Sequence, residues 1–338
     1  MNTVQNRLKH YRGFTLIELI IAMVIGLVVI LGISSVYLGN RQTYTTTNAV
    51  SRLQEQTRYA AMIVRESIMH AGYFGRIENA VIINGRFGAG GSYIGDIPDD
   101  EDDCADGWYV DLSNAIEAPD TSGGNPFSAT CLRGNTYARS LLPNTDLLTI
   151  RRVSNATAPD TGTAQNSLTN AATQGFVFIR SDINRAEAFI NNGTPPAGYN
   201  AATVQNNQLL TEMFFVSPDF NDLNDGIPTL RRLRLGRDSG TPYVDTERVM
   251  SGVEQFQVQI GADVDGDGIA DVFDDPPNAD ASRAVAVRFW LLIRSETMER
   301  DYIDTNTYTM GDVTFTPTGD LRNYRRNLVT QTVSLRNF

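Results

Sequence analysis

Lysine is nearly missing from this chain of 338 residues: of its 28 basic side chains, only Lys9 is not an arginine. Histidine is as rare, with His10 and His70 alone. A lysine Schiff base, a Gly-Lys-Ser/Thr phosphate loop, a lysine isopeptide crosslink and a multi-histidine metal centre therefore have almost nothing to be built from. The only cysteines, Cys104 and Cys131, form no Cys-x-x-Cys pair, which removes the usual dithiol redox motif. Basic charge is also short. With 39 acidic residues the net charge is −11, the wrong sign for a surface that gains affinity by neutralising phosphates, so no nucleic acid is expected as a partner. No proline precedes Pro98, and a long N-terminal helix meets no breaker of that kind. What remains, 41% hydrophobic with 28 Gly and 13 Pro, is the composition of a loop-rich globular chain with room for one large or two modest domains.

Charge and apolarity are segregated at the N-terminus. Residues 1–13 carry Arg7, Lys9 and Arg12 and no acid, and an apolar run from Phe14 to Ile33 follows, interrupted only by Glu18. As a helix that run spans about 30 Å, the thickness of a bilayer's hydrocarbon core. The basic flank should stay cytoplasmic, which places the rest of the chain across the membrane. Ser34 and Ser35, after the apolar run, form a weak cleavage site of the secretory type, the alternative on composition alone. A carboxylate inside such a helix costs about 2.5–3.5 kcal/mol, so Glu18 is a functional candidate unless it snorkels to the interface.

Arg12-Gly13-Phe14-Thr15-Leu16-Ile17-Glu18 resembles the type III signal of type IV pilins and type II secretion pseudopilins. The resemblance implies cleavage after Gly13 by a prepilin peptidase, N-methylation of Phe14 and retention of the apolar helix. Residues 1–13 are then a leader, and the mature chain has no lysine. It also implies that Glu18 complements the charged amino terminus of a neighbouring subunit as the chain passes from inner-membrane lipid into a fibre.

Helical periodicity continues beyond the apolar run. Val50, Leu53, Thr57, Ala60, Val64, Ile68 and Ala71 recur at three- and four-residue steps, one apolar stripe on a polar helix. A helix from about Phe14 to His70, roughly 85 Å long, should end at Gly72 and Gly75, so residues 14–33 are read as membrane or fibre-core helix and 34–75 as its amphipathic continuation. Gly26, Gly32 and Gly39 are its only soft points. From residue 76 to 338 the period becomes two. Phe256, Val258 and Ile260 alternate with glutamines, and Val285, Val287, Phe289, Leu291 and Ile293 line one face; further strands are expected near 147–153, 176–180, 208–216, 229–235 and 328–335. One helix followed by many strands predicts an α+β fold, a mostly antiparallel sheet packed on the helix stripe.

Two local patterns carry chemistry. Asp263-Val-Asp265-Gly-Asp267-Gly-Ile269-Ala-Asp271-Val-Phe-Asp274 places oxygen ligands at loop positions one, three, five, nine and twelve, with glycine at six and the Ile269 carbonyl at seven. That is the calcium loop of EF-hand and dockerin type, here expected between strands; the alternative is a solvated Asp-Gly hairpin loop. Asp219, Asn221, Asp222, Asn224 and Asp225 fit no such template and read as a turn before Pro228. Cys104 and Cys131, beyond the inner membrane, are expected to form a disulfide worth about 3–4 kcal/mol.

Downstream, Asp146-Leu-Leu-Thr-Ile-Arg151, Gly226-Ile-Pro-Thr-Leu-Arg231, Val249-Met-Ser-Gly-Val-Glu-Gln-Phe-Gln-Val-Gln259 and Tyr324-Arg-Arg-Asn-Leu-Val-Thr-Gln-Thr-Val-Ser-Leu-Arg-Asn337 resemble the PilW family of type IV pilus minor pilins. That resemblance implies a non-enzymatic subunit that joins other minor pilins and the major pilin, primes fibre assembly and sits at the tip with a PilY-type adhesin, supporting adhesion and twitching motility. It would lie in the inner membrane of a Gram-negative bacterium, with its C-terminal domain periplasmic, and then in the surface pilus. A type II secretion minor pseudopilin of the J type shares the leader. A membrane-anchored enzyme finds no nucleophile, base and orienting group here. Segments 155–173 and 191–207 are the least family-like.

Overall fold

A computed structural model describes residues 15–87, 94, 107–119, 141–157, 168–200, 202–221, 225–276, 278–279 and 281–337. The chain divides into two compact units at Arg52 and Leu53. One long helix, α1 (Leu16–Met69), contributes its first part to one unit and its second part to the other. The first part is continuous through Gly26, Gly32 and Gly39, and a Cβ at any of these would meet no atom within 4 Å. Its apolar side chains from Leu16 to Leu38 are exposed.

In the larger unit, α1 buries Leu53, Thr57, Ala60, Ala61, Val64, Ser67 and Ile68, the stripe expected from the spacing with Ala61 and Ser67 added and without Val50, which is half-buried; Ala71 is buried just beyond the helix. Gly72 and Gly75 follow in left-handed conformations, φ 73° and 87°. The Gly72 N–H bonds the Arg151 carbonyl at 3.1 Å, and the Tyr73 carbonyl accepts from Val153 at 2.7 Å. The chain thus leaves the helix directly onto a strand.

Among the described residues fourteen strands follow: β1 (Ile83–Asn84), β2 (Ile116–Glu117), β3 (Leu148–Thr157), β4 (Val177–Asp182), β5 (Arg185–Ile190), β6 (Gln205–Ser217), β7 (Thr229–Asp238), β8 (Thr241–Ser251), β9 (Val253–Ala262), β10 (Val272–Asp274), β11 (Ala284–Arg294), β12 (Tyr308–Met310), β13 (Val313–Phe315) and β14 (Arg326–Ser334). They form three sheets where the sequence pattern suggested one. Eight strands run β1-β5-β4-β6-β3-β2, with β7 and then β8 added beside β6; four run β10-β9-β11-β14; β12 and β13 make a small hairpin. All pairs are antiparallel except β1 with β5.

The period of two decides where the core lies. Met213 and Phe215 of β6 join one apolar cluster with Trp108, Val110, Ile179 and Leu233. Phe214 and Val216 point the other way into a second cluster. Covered on both faces, the Met213–Val216 part of β6 reads as an uninterrupted apolar run and not as an alternation. The second cluster joins the α1 stripe to Leu148, Ile150 and Leu230 of the larger sheet and to Phe256, Val258, Val287, Phe289 and Leu291 of the four-stranded sheet. Each fully buried aliphatic or Phe side chain there contributes about 1.5–3 kcal/mol. Gly252 connects the two sheets: its φ is +81° and a Cβ would lie 2.6 Å from the Arg294 carbonyl, so a side chain at this turn would be both strained and obstructed.

Interior cations are arginines throughout. Arg326 of β14 has a fully buried side chain whose partners Asp304 and Glu254 are 0% and 6% exposed. Its Nε and Nη2 donate to Glu254 at 2.6 and 3.0 Å, Nη1 to Asp304 Oδ2 and the Tyr324 carbonyl at 3.1 Å each, and Nη2 also to the Leu321 carbonyl at 2.9 Å. All five guanidinium N–H donors are thereby satisfied. The Tyr308 hydroxyl donates to Asp304 at 3.0 Å; burial, reinforced by the Asp304 carboxylate, pushes its pKa up to about 12. In the larger sheet, buried Arg151 donates to the Trp108 carbonyl at 2.7 Å and to Glu117 at 3.0 Å, tying segment 107–119 to β3. Arg326→Ala takes the paired cation from buried Asp304 and leaves Glu254 with Arg294 alone, at 3.3 Å, and is expected to cost about 3–5 kcal/mol in a denaturant titration. Arg326→Lys, which keeps the charge but not the fork, should recover only part of that loss.

Candidate functional site

Gly13 and Phe14 lie outside the described residues. The described chain opens at Thr15, and the first turn of α1 is closed by a reciprocal pair of bonds. The Glu18 Oε2 accepts from the Thr15 N–H and hydroxyl at 2.9 Å each, and the Glu18 N–H donates to Thr15 Oγ1 at 3.3 Å. Thr15-Leu-Ile-Glu18 is a capping box, the Thr-x-x-Glu pattern that satisfies orphan donors at a helix start. The pattern stands in the sequence, and Thr15 is the residue that motif reading passed over. Glu18 is exposed on the first turn of a helix long and apolar enough to cross a membrane. Its charge is thus held locally by Thr15 while it remains open to a second donor.

The acidic loop is the turn of the hairpin formed by β9 and β10, which pair Ala262 with Val272 and Ile260 with Asp274. Carboxylate oxygens of Asp263, Asp265 and Asp267 lie within 4.8 Å of one another. Asp271 and Asp274 lie outside that group: Asp271 Oδ2 accepts from Val264 N at 2.8 Å, and Asp274 sits in β10. Ile269 donates its N–H to Asp267 Oδ1 at 2.8 Å, and its side chain is exposed. Gly266 and Gly268 have φ of +86° and +84°, which lets their N–H groups turn inward onto Asp263, at 2.6 Å to Oδ1 and 2.7 Å to Oδ2. Those bonds, Gly268 first and then Gly266, hold the Asp263 carboxyl below the usual aspartate range. The loop therefore keeps its bonding as pH falls past the ordinary aspartate value and loses it only as pH drops through the lowered one.

A cleft of about 720 Å³ opens beside the loop, walled by Asp263 and Asp265 on one side and by Gly72, Phe74 and Glu78 on another, with Arg283 also at its edge. The second acidic cluster is a turn, as its spacing suggested. Asp225 accepts three backbone N–H bonds, from Phe220, Asn221 and Ile227, and Asp219 accepts one from Gly226. Asp222 and Asn224 lie outside the described residues, as do Cys104 and Cys131. Asp263→Ala is expected to raise the hydrogen-exchange rates of the Gly266 and Gly268 amides while those of β11 stay unchanged, which exchange mass spectrometry would read directly.

Comparison with known proteins gives two matches, one at each end of the chain. Residues 213–337, from the second half of β6 through β14, match the family model of the type IV pilus-assembly protein W. Residues 8–34, across the Gly13–Phe14 junction and into α1, match the prokaryotic N-terminal methylation motif. No curated protein and no solved structure matches the chain.

Proposed function

We propose that the chain is a type IV pilin of the PilW family with a minor pilin's role in the type IV pilus, a reading that the two family matches support, and that it joins other minor pilins and the major pilin to prime fibre assembly, ending at the pilus tip with a PilY-type adhesin and serving adhesion and twitching motility. The role is structural and non-enzymatic. The observation that carries this reading is the exposed apolar part of α1, which begins with the Thr15–Glu18 box immediately after the cleavage sequence Gly13-Phe14.

In the proposed sequence of events a prepilin peptidase removes residues 1–13 and N-methylates Phe14. The remaining helix keeps the subunit in the inner membrane with its β-rich domain periplasmic, and the pilus later carries it to the cell surface. Glu18 bears a charge that is expensive in lipid. Entering a fibre beside another subunit's amino terminus, its carboxylate would exchange the Thr15 donors for an ammonium, so that two costly charges neutralise one another. Glu18→Gln separates the two roles, because glutamine also serves at the third position of a capping box but carries no charge. Mass spectrometry of sheared fibres and of membranes is expected to find N-methylated Phe14 in both for the native chain. For Glu18→Gln it is expected in membranes only; an intact leader in the native chain would defeat the reading.

The hairpin loop extends the proposal to a divalent cation. Three converging carboxylates form an all-oxygen set suited to a hard ion such as Ca²⁺, and Asp263, Asp265, Asp267, the Ile269 carbonyl, Asp271 and Asp274 would hold it. The bound ion would neutralise the mutual repulsion of the aspartates. Excess calcium is expected to raise the melting temperature relative to chelator; an unchanged midpoint would remove the ion from this account. Cys104 and Cys131 are proposed to be joined as a disulfide in the oxidising periplasm.

A further inference from the structure

Gly236 lies inside β7 at a position where the backbone does not require glycine. From the pair Arg231 with Arg248 to the pair Asp238 with Thr241 the β7–β8 register is unbroken, with Gly236 opposite Tyr243, so the glycine marks no bulge. Its φ is outside the left-handed region, and a Cβ would meet only the Tyr243 carbonyl oxygen, at an ordinary 3.7 Å. A side chain would fit there without strain. Glycine inside a strand weakens it, and where neither a bend nor a collision accounts for it, the remaining reason is the close approach of a ligand.

A cleft of about 600 Å³ opens at this residue. Its place follows from the topology of the larger sheet. β4 and β7 pair with the same edge of β6, β4 with Gln205–Gln208 and β7 with Glu212–Ser217. Past Arg234, its last partnered residue on β6, β7 runs on to Asp238 paired with β8 alone among the described residues. The cleft lies at this fork, with Gln208 of β6 and Phe176, just before β4, on one side and Tyr243, Asp245 and Glu247 of β8 on the other. One end is fastened shut. Arg237 donates to the carbonyls of Ala171 and Gln174 at 3.1 and 2.8 Å, and its guanidinium lies 5.1 Å from the centre of the Phe176 ring.

The lining selects by charge and by hydrogen bonding. Arg234 and Arg237 stand against Asp238, Asp245 and Glu247, and Arg234 already pairs with Glu247 at 3.5 Å. Charges so nearly balanced favour neither an anion nor a cation. What they offer, with the Gln208 amide, is a mixture of donors and acceptors beside two aromatic rings, over a floor without a side chain. Clefts of this volume with aromatic walls and a few convergent polar groups are the usual form of a small-molecule site. We propose that this cleft binds a neutral saccharide, one sugar ring lying over Gly236 with its C–H face against Tyr243 and its hydroxyls bonded by Gln208, Arg234 and Asp245. Each hydroxyl both donates and accepts, which the mixed lining matches, and the apolar face of the ring matches the aromatic wall. The site is built from the sheet alone and does not depend on the pilin role proposed above.

The test holds the full chain in a polyoxyethylene detergent, so that no detergent sugar competes, and applies it to an array of neutral, sialylated and sulfated oligosaccharides. At least one neutral oligosaccharide should bind, and its affinity is then measured by titration calorimetry. Gly236→Val, which fills the floor with a residue suited to strands, should weaken that affinity about tenfold or more without lowering the melting temperature. If that variant is less stable, Asp245→Asn decides: its side-chain oxygen can still accept from the Thr246 N–H, bonded at 2.8 Å in the native chain, and it too should weaken binding about tenfold. No neutral ligand on the array, binding of the charged oligosaccharides alone, or undiminished affinity in a folded variant would overturn the proposal.

Discussion

The apolar stripe on the second part of α1 shares one dry cluster with the inner faces of both large sheets. Ala60, Ala61, Val64 and Ile68 are all without solvent exposure, in the cluster that also holds Phe214, Phe256 and Phe289. Remove that contact and the inner faces of both sheets would lose the helix residues that pack on them. The two sheets are therefore mutually dependent through the helix, and Gly252, where the chain crosses from one to the other, can take its left-handed turn because no side chain is required there.

Around this dry centre the polar interior follows from the scarcity of lysine. The side chains of Arg151, Arg294 and Arg326 are buried, and each spreads its donors over several acceptors, many of them backbone carbonyls of segments outside the sheets. A compact ammonium has three donors on a flexible stem and cannot fill such a fork. The motifs Asp146-Leu-Leu-Thr-Ile-Arg151 and Tyr324-Arg-Arg are positions where a charged side chain fastens one element to another. Segment 295–325 contains only short strands, and Arg325, through Glu299 at 2.8 and 3.0 Å, and Arg326 attach it to the four-stranded sheet.

The helix start and the loop hairpin use the same device in different settings: a carboxylate takes up backbone donors that the local geometry leaves without a partner. Glu18 does this for the first turn of α1 and Asp263 for the two glycine amides of the β9–β10 turn. Glu18 stays exposed and Asp263 half-buried, so the local role does not consume the negative charge. That combination of preorganisation and open charge is what a site needs if a cation, whether an ammonium or a metal, is to be received.

Much of this was legible in order along the chain, because periodicity is a local property. The 3.6-residue stripe from Leu53 to Ile68, the two glycines after the helix, and the alternation in β9 and β11 each appear in a short window of sequence, and so does the basic-then-apolar N-terminus that leads into α1. β5 and β8 were not legible: β8 is a largely solvated edge whose Asp245, Glu247 and Arg248 mask its pattern, and β5 is a short strand rich in alanine. Nor could local pattern reveal that the glutamines of β9 are covered, with Gln257 2% exposed and bonded to the Asn144 carbonyl at 2.7 Å, since the covering residues lie more than a hundred positions away. The order of residues was enough for the long helix and for the strands with a strong alternation or apolar run, all of which depend on neighbours in the chain. It took the folded molecule to establish that there are three sheets, that Asp263, Asp265 and Asp267 converge while Asp271 and Asp274 do not, and that β4 and β7 share one edge of β6, because each of these depends on contacts between residues that the chain keeps far apart.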